Sequence, residues 1–180
     1  FTAHLSNLRN VGMGFIRNNI LLVTLDLSNN DQGHSSPPRY QELLGKLEAI
    51  PGVHSASLAG ATPISGAAAS LFISAEGFDE RQENRRYTAM NGVGPRYFET
   101  LGTPLLAGRE FGFQDWQGQN AAIVNQALAQ YYFADRDPIG KHVTLDRGGQ
   151  TYQIVGVVGD AKYYELRDPA PRTIYLPAVR

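Results

Sequence analysis

A mixed α/β fold, opening on a β-α-β unit and continuing into a strand-rich middle, is what three features of the sequence predict. Tyr40, Leu43, Leu44, Leu47 and Ile50 recur at spacings of three and four, which makes one face of a helix apolar. Apolar runs rich in Leu, Ile and Val at 20–27 and 53–58 bracket that helix and read as strands. Beyond them, short apolar runs alternate with turns built on Gly and Pro, the punctuation of a sheet.

In chain order, residues 1–10 have helical composition, with Gly12 and Gly14 placed to end the segment. The run at 20–27 is predicted as a buried strand and the polar stretch 28–36 as a loop. Ser36 and Pro37 are an N-cap and a first helical residue, and Pro51-Gly52 stops the helix they start. Residues 71–75 and 86–90 are short strand candidates around a charged turn at 79–84. Gly94-Pro95 opens a short helix with Tyr97, Phe98 and Leu101 on one side, closed by Gly102. Leu105 and Leu106 precede a tight turn at Gly108. Residues 121–124 form a strand running into Asn125, an N-cap for a helix ending near Phe133. After the turn Asp137-Pro138-Ile139-Gly140, residues 142–145 and 151–158 make a hairpin across Arg147-Gly148-Gly149, and 174–176 is a last strand.

Composition excludes several kinds of chemistry. With 180 residues and no cysteine, the chain has no disulfide, thiolate nucleophile or Cys-ligated metal. Sixteen basic against seventeen acidic residues leave a net charge of −1, without the basic excess of a nucleic-acid binder. The longest apolar runs fall far short of the roughly 20 residues of a membrane helix.

The motif candidates dissolve one by one. Gly156 and Gly159 supply two glycines where a dinucleotide turn needs three, and in Gly92-Val93-Gly94 the third position is Tyr97. There is no Walker A lysine motif to cradle a phosphate. His4, His34, His54 and His142 lack metal-ligand spacing. Ser65 has no nucleophile elbow around it. Asp79/Glu80 and Asp135/Asp137 sit in polar turns, where solvated charge is the ordinary state. Trp116 and Tyr131-Tyr132-Phe133 read as core or interface aromatics. Arg109 reads as a brace for its turn, through carbonyls or a nearby carboxylate. No catalytic or metal site and no cofactor are expected.

Several segments, in order, carry a family likeness. They are Leu-Arg-Asn-Val-Gly-Met-Gly-Phe at 8–15 and Leu-Leu-Gly-Lys-Leu-Glu-Ala-Ile-Pro-Gly-Val-His-Ser-Ala-Ser at 43–57. The most specific is 93–111, Val-Gly-Pro-Arg-Tyr-Phe-Glu-Thr-Leu-Gly-Thr-Pro-Leu-Leu-Ala-Gly-Arg-Glu-Phe. Ala-Ile-Val-Asn at 122–125, Tyr132-Phe133, Asp-Pro-Ile-Gly-Lys at 137–141 and Tyr-Gln-Ile-Val-Gly-Val-Val at 152–158 follow. The set resembles the MacB-like periplasmic core domain of ABC permeases with FtsX-type membrane regions. Tyr97, Phe98, Leu101, Gly102, Gly108, Arg109, Phe111, Asp137, Pro138, Gly140 and Gly156 occupy its signature positions, with structural roles.

The resemblance implies a porter-like α/β lobe, 1–61 plus 152–180, interrupted by an inserted strand-rich, sabre-like lobe, 62–151. It also implies an extracytoplasmic, periplasmic location in an integral membrane protein and a non-enzymatic, mechanical role. The implied partners are flanking transmembrane helices, an ABC ATPase domain or subunit, a second copy, and a membrane-fusion adaptor. A soluble small-ligand sensor or enzyme with a scattered site is the rival class.

Overall fold

The computed structural model describes residues 14–16, 18–25, 37–62, 69–79, 87–118, 120–134, 136–161 and 169–178. Their regular elements are α1 (Pro37–Glu48), β1 (Ala69–Leu71), β2 (Ile73–Ala75), β3 (Thr88–Val93), α2 (Tyr97–Leu101) and β4 (Leu105–Gly108). A 3₁₀ turn (Phe113–Gln117) follows, then β5 (Ala121–Asn125), α3 (Gln126–Phe133), β6 (His142–Leu145), β7 (Thr151–Val158) and β8 (Thr173–Pro177).

All eight strands share one mixed sheet in the order β1-β3-β8-β5-β7-β6-β2, with β4 on β7. The pairs β3–β8 and β5–β7 are parallel and the others antiparallel. Its two ends, β1 and β2, are separated in the chain by Phe72 alone, so the sheet curls back on itself through one broken strand. The Phe72 carbonyl accepts from Asp146 N–H at that break, and its ring stacks on Tyr87 at 4.3 Å.

Alternation along the central strands feeds two cores. Ala122, Val124, Ile154, Ile174 and Leu176 join Leu128, Tyr132 and Phe133 of α3 on one side. Ala121, Ile123, Val158 and Tyr175 join Tyr97, Phe98 and Leu101 of α2 on the other. Both faces are covered, which explains why β5 and β8 are buried at every residue rather than at every second one.

Most of the local expectations hold: α2 with its Gly102 end, β5 running into Asn125 and α3, and the β6–β7 hairpin. The early β-α-β unit does not form as expected. Its helix is present, but residues 20–25 belong to no strand, and Leu21, Leu22, Val23 and Leu25 are exposed, Leu21 at 86%. Residues 53–58 run extended without entering the ladder; only Ala59 bridges to Val93. An apolar run shows that a strand is possible, but it does not supply the partner whose hydrogen bonds would make it one. Residues 20–25 therefore take no place in the sheet beside β7 and β8. The α1 stripe is only half used: Leu44 is buried, while Leu47 and Ile50 are exposed. β7 and β8 lie in the centre of the sheet, bonded to β3, β4, β5 and β6. The expected helix at 1–10, Gly12, the loop at 28–36 and the Ser36 cap lie outside the described residues.

Candidate functional site

The signature segment 93–111 forms a continuous brace over the α2 face of the sheet. Phe98 is buried edge-on against Tyr175 of β8 at 4.8 Å between ring centres, and Tyr97 packs edge-on against Phe98 at 5.2 Å. Leu101 and Phe111 complete the cluster. Gly102 ends α2 at φ 66°, where its N–H and that of Thr103 donate to the carbonyls of Glu99 and Phe98. A Cβ is disfavoured in that left-handed conformation, which is why glycine closes the helix. The buried Thr103 hydroxyl donates to the Gly14 carbonyl at 2.8 Å and pins the start of the described chain to the brace.

After α2, β4 crosses β7 closely at Gly156, where a Cβ would lie 2.3 Å from the Arg109 carbonyl oxygen. Glycine is therefore required there by the approach of two backbones. Gly108 pairs with Gly156 in the β4–β7 ladder, and Arg109 N–H donates to the Val155 carbonyl. The Arg109 guanidinium makes two parallel bonds to Asp115, at 2.8 and 2.9 Å, and a third to the Glu110 carbonyl. Asp115 is buried and also accepts from Gly112 N–H at 2.8 Å. This fork-to-fork pairing locks the turn and holds the Arg109 charge on still more firmly.

Glu110 turns back and accepts from Glu99 N–H in the first turn of α2 at 3.1 Å, a cap supplied from eleven residues downstream. Burial raises its pKa from the ordinary glutamate value. Asp137, Pro138 and Gly140 lie apart from this cluster, in the turn entering β6. Asp137 there accepts from Ile139 N–H, and Gly140 N–H reaches the Ile154 carbonyl.

Among the described residues the sequence candidates do not assemble into a catalytic constellation. Trp116 is buried against Phe113, Tyr40 and Leu44, and Tyr132 and Phe133 are core residues. His142 pairs with Glu76 at 3.0 Å on the surface; that bond and one from Lys141 hold Glu76 at a pKa of about 2. Among the described residues, no group of three or more His, Cys, Asp or Glu is placed to hold a metal ion. His4, His34, Ser65, Glu80 and Asp135 lie outside the described residues. An open cleft of about 660 Å³ between α3 and residues 169–172 has Arg172 stacked 4.5 Å from the Tyr131 ring and no acid–base pair in its lining.

Four charged residues escaped the sequence reading. Asp115 and Glu110 stand in exposed-looking polar sequence, yet one is buried and the other half-buried by the fold. Arg96 occupies a left-handed position, φ 58°, with neither Gly nor Asn to signal it. Glu48 meets Arg96 across 48 residues of chain, beyond any local pattern.

This geometry is that of a braced module, and comparison with known proteins places it in a family. The chain belongs to the MacB-like periplasmic core domain family, which matches residues 7–180. It is accordingly an extracytoplasmic domain of a MacB-like ABC transporter permease, an integral membrane protein. Among the described residues no helix is long and apolar enough to cross a membrane. The fold is similar to the periplasmic region of MacB from Actinobacillus actinomycetemcomitans, with a TM-score of 0.53 and 18% identity over 77% of this chain and 54% of that one. It is also similar to the extracellular domain of the ABC-type transporter YknZ from Gram-positive bacteria, with a TM-score of 0.51 and 22% identity over 77% and 62%. This chain thus spans between half and two thirds of the structures it matches. No curated protein sequence matches it.

Proposed function

We propose that this domain is a mechanical coupler. It takes up the motion that an ABC ATPase drives through the permease's membrane helices and delivers it outside the membrane, to substrate export or to a partner. The observation that carries the reading is the single sheet, packed on both faces and braced by the signature segment. A body packed to the density of a crystal resists compression, so displacement at one edge arrives at the other undiminished. The partners that suit this role are the flanking membrane helices, the ATPase domain or subunit, a second copy of the domain, and a membrane-fusion adaptor. Function in such a body is spread over surfaces and needs no catalytic residue.

The reading places all ATP chemistry elsewhere in the transporter. Titrating this chain with Mg-ATP in a calorimeter should give no saturable heat at micromolar concentrations, because the phosphate-cradling loop is missing from its sequence. Stoichiometric binding would turn the assignment toward a ligand sensor or an enzyme.

A further inference from the structure

Residues 37–57, α1 and the extended segment that follows it, form an arm that joins the sheet through residues 58–61. Its root is stitched down: Gly94 N–H donates to the Leu58 carbonyl, Gly60 N–H to Gly92, and the Asn91 side chain exchanges two bonds with Ala61. Outward of that root, Leu44 is the buried apolar residue of α1, resting on Trp116 with Tyr40 and Ala56 beside it. A twelve-residue helix is marginal alone, so α1 depends on whatever holds the arm down.

Arg96 is the charged part of that hold. Its guanidinium donates to Glu48 at the end of α1, to the His54 carbonyl in the extended segment that returns from it, and through Nε and Nη2 to both oxygens of Glu99 in α2. Glu48 also accepts from Ala56 N–H, closing the arm on itself. Arg96 has a left-handed backbone, a conformation a residue with a Cβ holds only when its surroundings impose it. On its far side α2 is bolted to β8 through Phe98 and Tyr175.

We propose that Arg96 is a clasp: it closes the 37–57 arm onto the sheet, and its release lets the arm swing about residues 57–58 while the sheet stays folded. The clasp joins three segments through one side chain, giving a route from α1 through Glu48, Arg96 and α2 to β8. Its use in passing on displacement rests on the coupling role proposed above, whereas its existence does not.

Hydrogen exchange on the chain and three variants tests the clasp alone. Arg96→Gly accepts the left-handed backbone without strain, so the sheet stays folded. Its α1 amides should lose protection roughly two- to fivefold, the effect of a partly exposed ion pair, while β5, β7 and β8 amides keep theirs. Glu48→Gln should loosen the same amides, and the double variant should be no looser than the looser single one, as for partners in one contact. Unchanged α1 exchange in Arg96→Gly, a loss shared equally by the sheet, or strictly additive effects would each overturn the clasp. None of these outcomes bears on whether the domain serves transport, so a failed clasp leaves the coupling role standing.

Discussion

Truncating Phe98 to alanine should lower the stability of the domain by about 3–5 kcal/mol, the range for a fully buried aromatic residue replaced by a methyl group. Phe98 is 1% exposed and wedged between Tyr97 and Tyr175, so neighbours held by their own ring contacts cannot collapse into the space. For a chain of this size the loss corresponds to a fall in melting temperature of roughly 6–20 °C. Thermal unfolding followed by circular dichroism gives the answer directly. A melting curve matching the parent's would mean that Phe98 carries no packing load and that α2 is not bolted to β8.

Asn125 is the second place where one side chain carries a large effect. Its Oδ1 accepts from Leu128 N–H, capping α3, and from Thr173 N–H at the start of β8. Its Nδ2 donates to Asp160 and to the Pro171 carbonyl. Replacement by alanine removes the cap and leaves several buried groups without partners, at a cost of about 3–5 kcal/mol. Asn125→Asp is the sharper experiment, because it keeps the acceptor and replaces the donor with a carboxylate facing Asp160. Burial already raises the Asp160 pKa, and a second negative charge raises it further. A carboxyl whose folded pKa lies above its unfolded value binds more protons in the folded state, so stability grows as pH falls. Asn125→Asp should therefore be severely weakened at neutral pH and regain stability on acidification toward about pH 4, where the unfolded carboxylates also titrate. Denaturant midpoints at neutral and acidic pH test this; an equal deficit at both would remove the charge from the explanation.

What the sequence made legible was local. Asn125 announced the start of α3, Gly94-Pro95 and Gly102 framed α2, and Gly148-Gly149 turned the β6–β7 hairpin, each signal lying within a few residues of the structure it produces. What escaped was partnership across the chain. The apolar run at 20–25 has strand composition yet pairs with nothing in the sheet, because pairing depends on what arrives beside it. The segment 71–75 read as one strand and is two half-strands at opposite ends of the ladder, broken at Phe72. The same limit hid the charged pairs: the 3₁₀ turn rotates Asp115 inward to Arg109, and Glu48 reaches Arg96 only once the arm has folded back. Of the signature positions, Tyr97, Phe98, Leu101 and Phe111 converge with β8, while Gly108, Arg109 and Gly156 meet at the β4–β7 crossing. Asp137, Pro138 and Gly140 stand apart because they shape the turn from α3 into β6 rather than the brace.

The central claim, a rigid body moved from the membrane, is tested most directly by distances measured in the complete permease with its ATPase. This domain has no cysteine, so nitroxide labels at Arg147, in the β6–β7 turn, and Gln117, beside Trp116, add no competing sites within it. Double electron–electron resonance would be recorded without nucleotide and with ATP trapped. The distance from Arg147 to Gln117 within one domain should stay constant, since both positions ride on one packed sheet. On the proposed coupling, with closure of the ATPase passed outward through the membrane helices, the distance between Arg147 labels in two copies should shift. An internal distance that changes with nucleotide, or an inter-copy distance that does not, would contradict the coupling account.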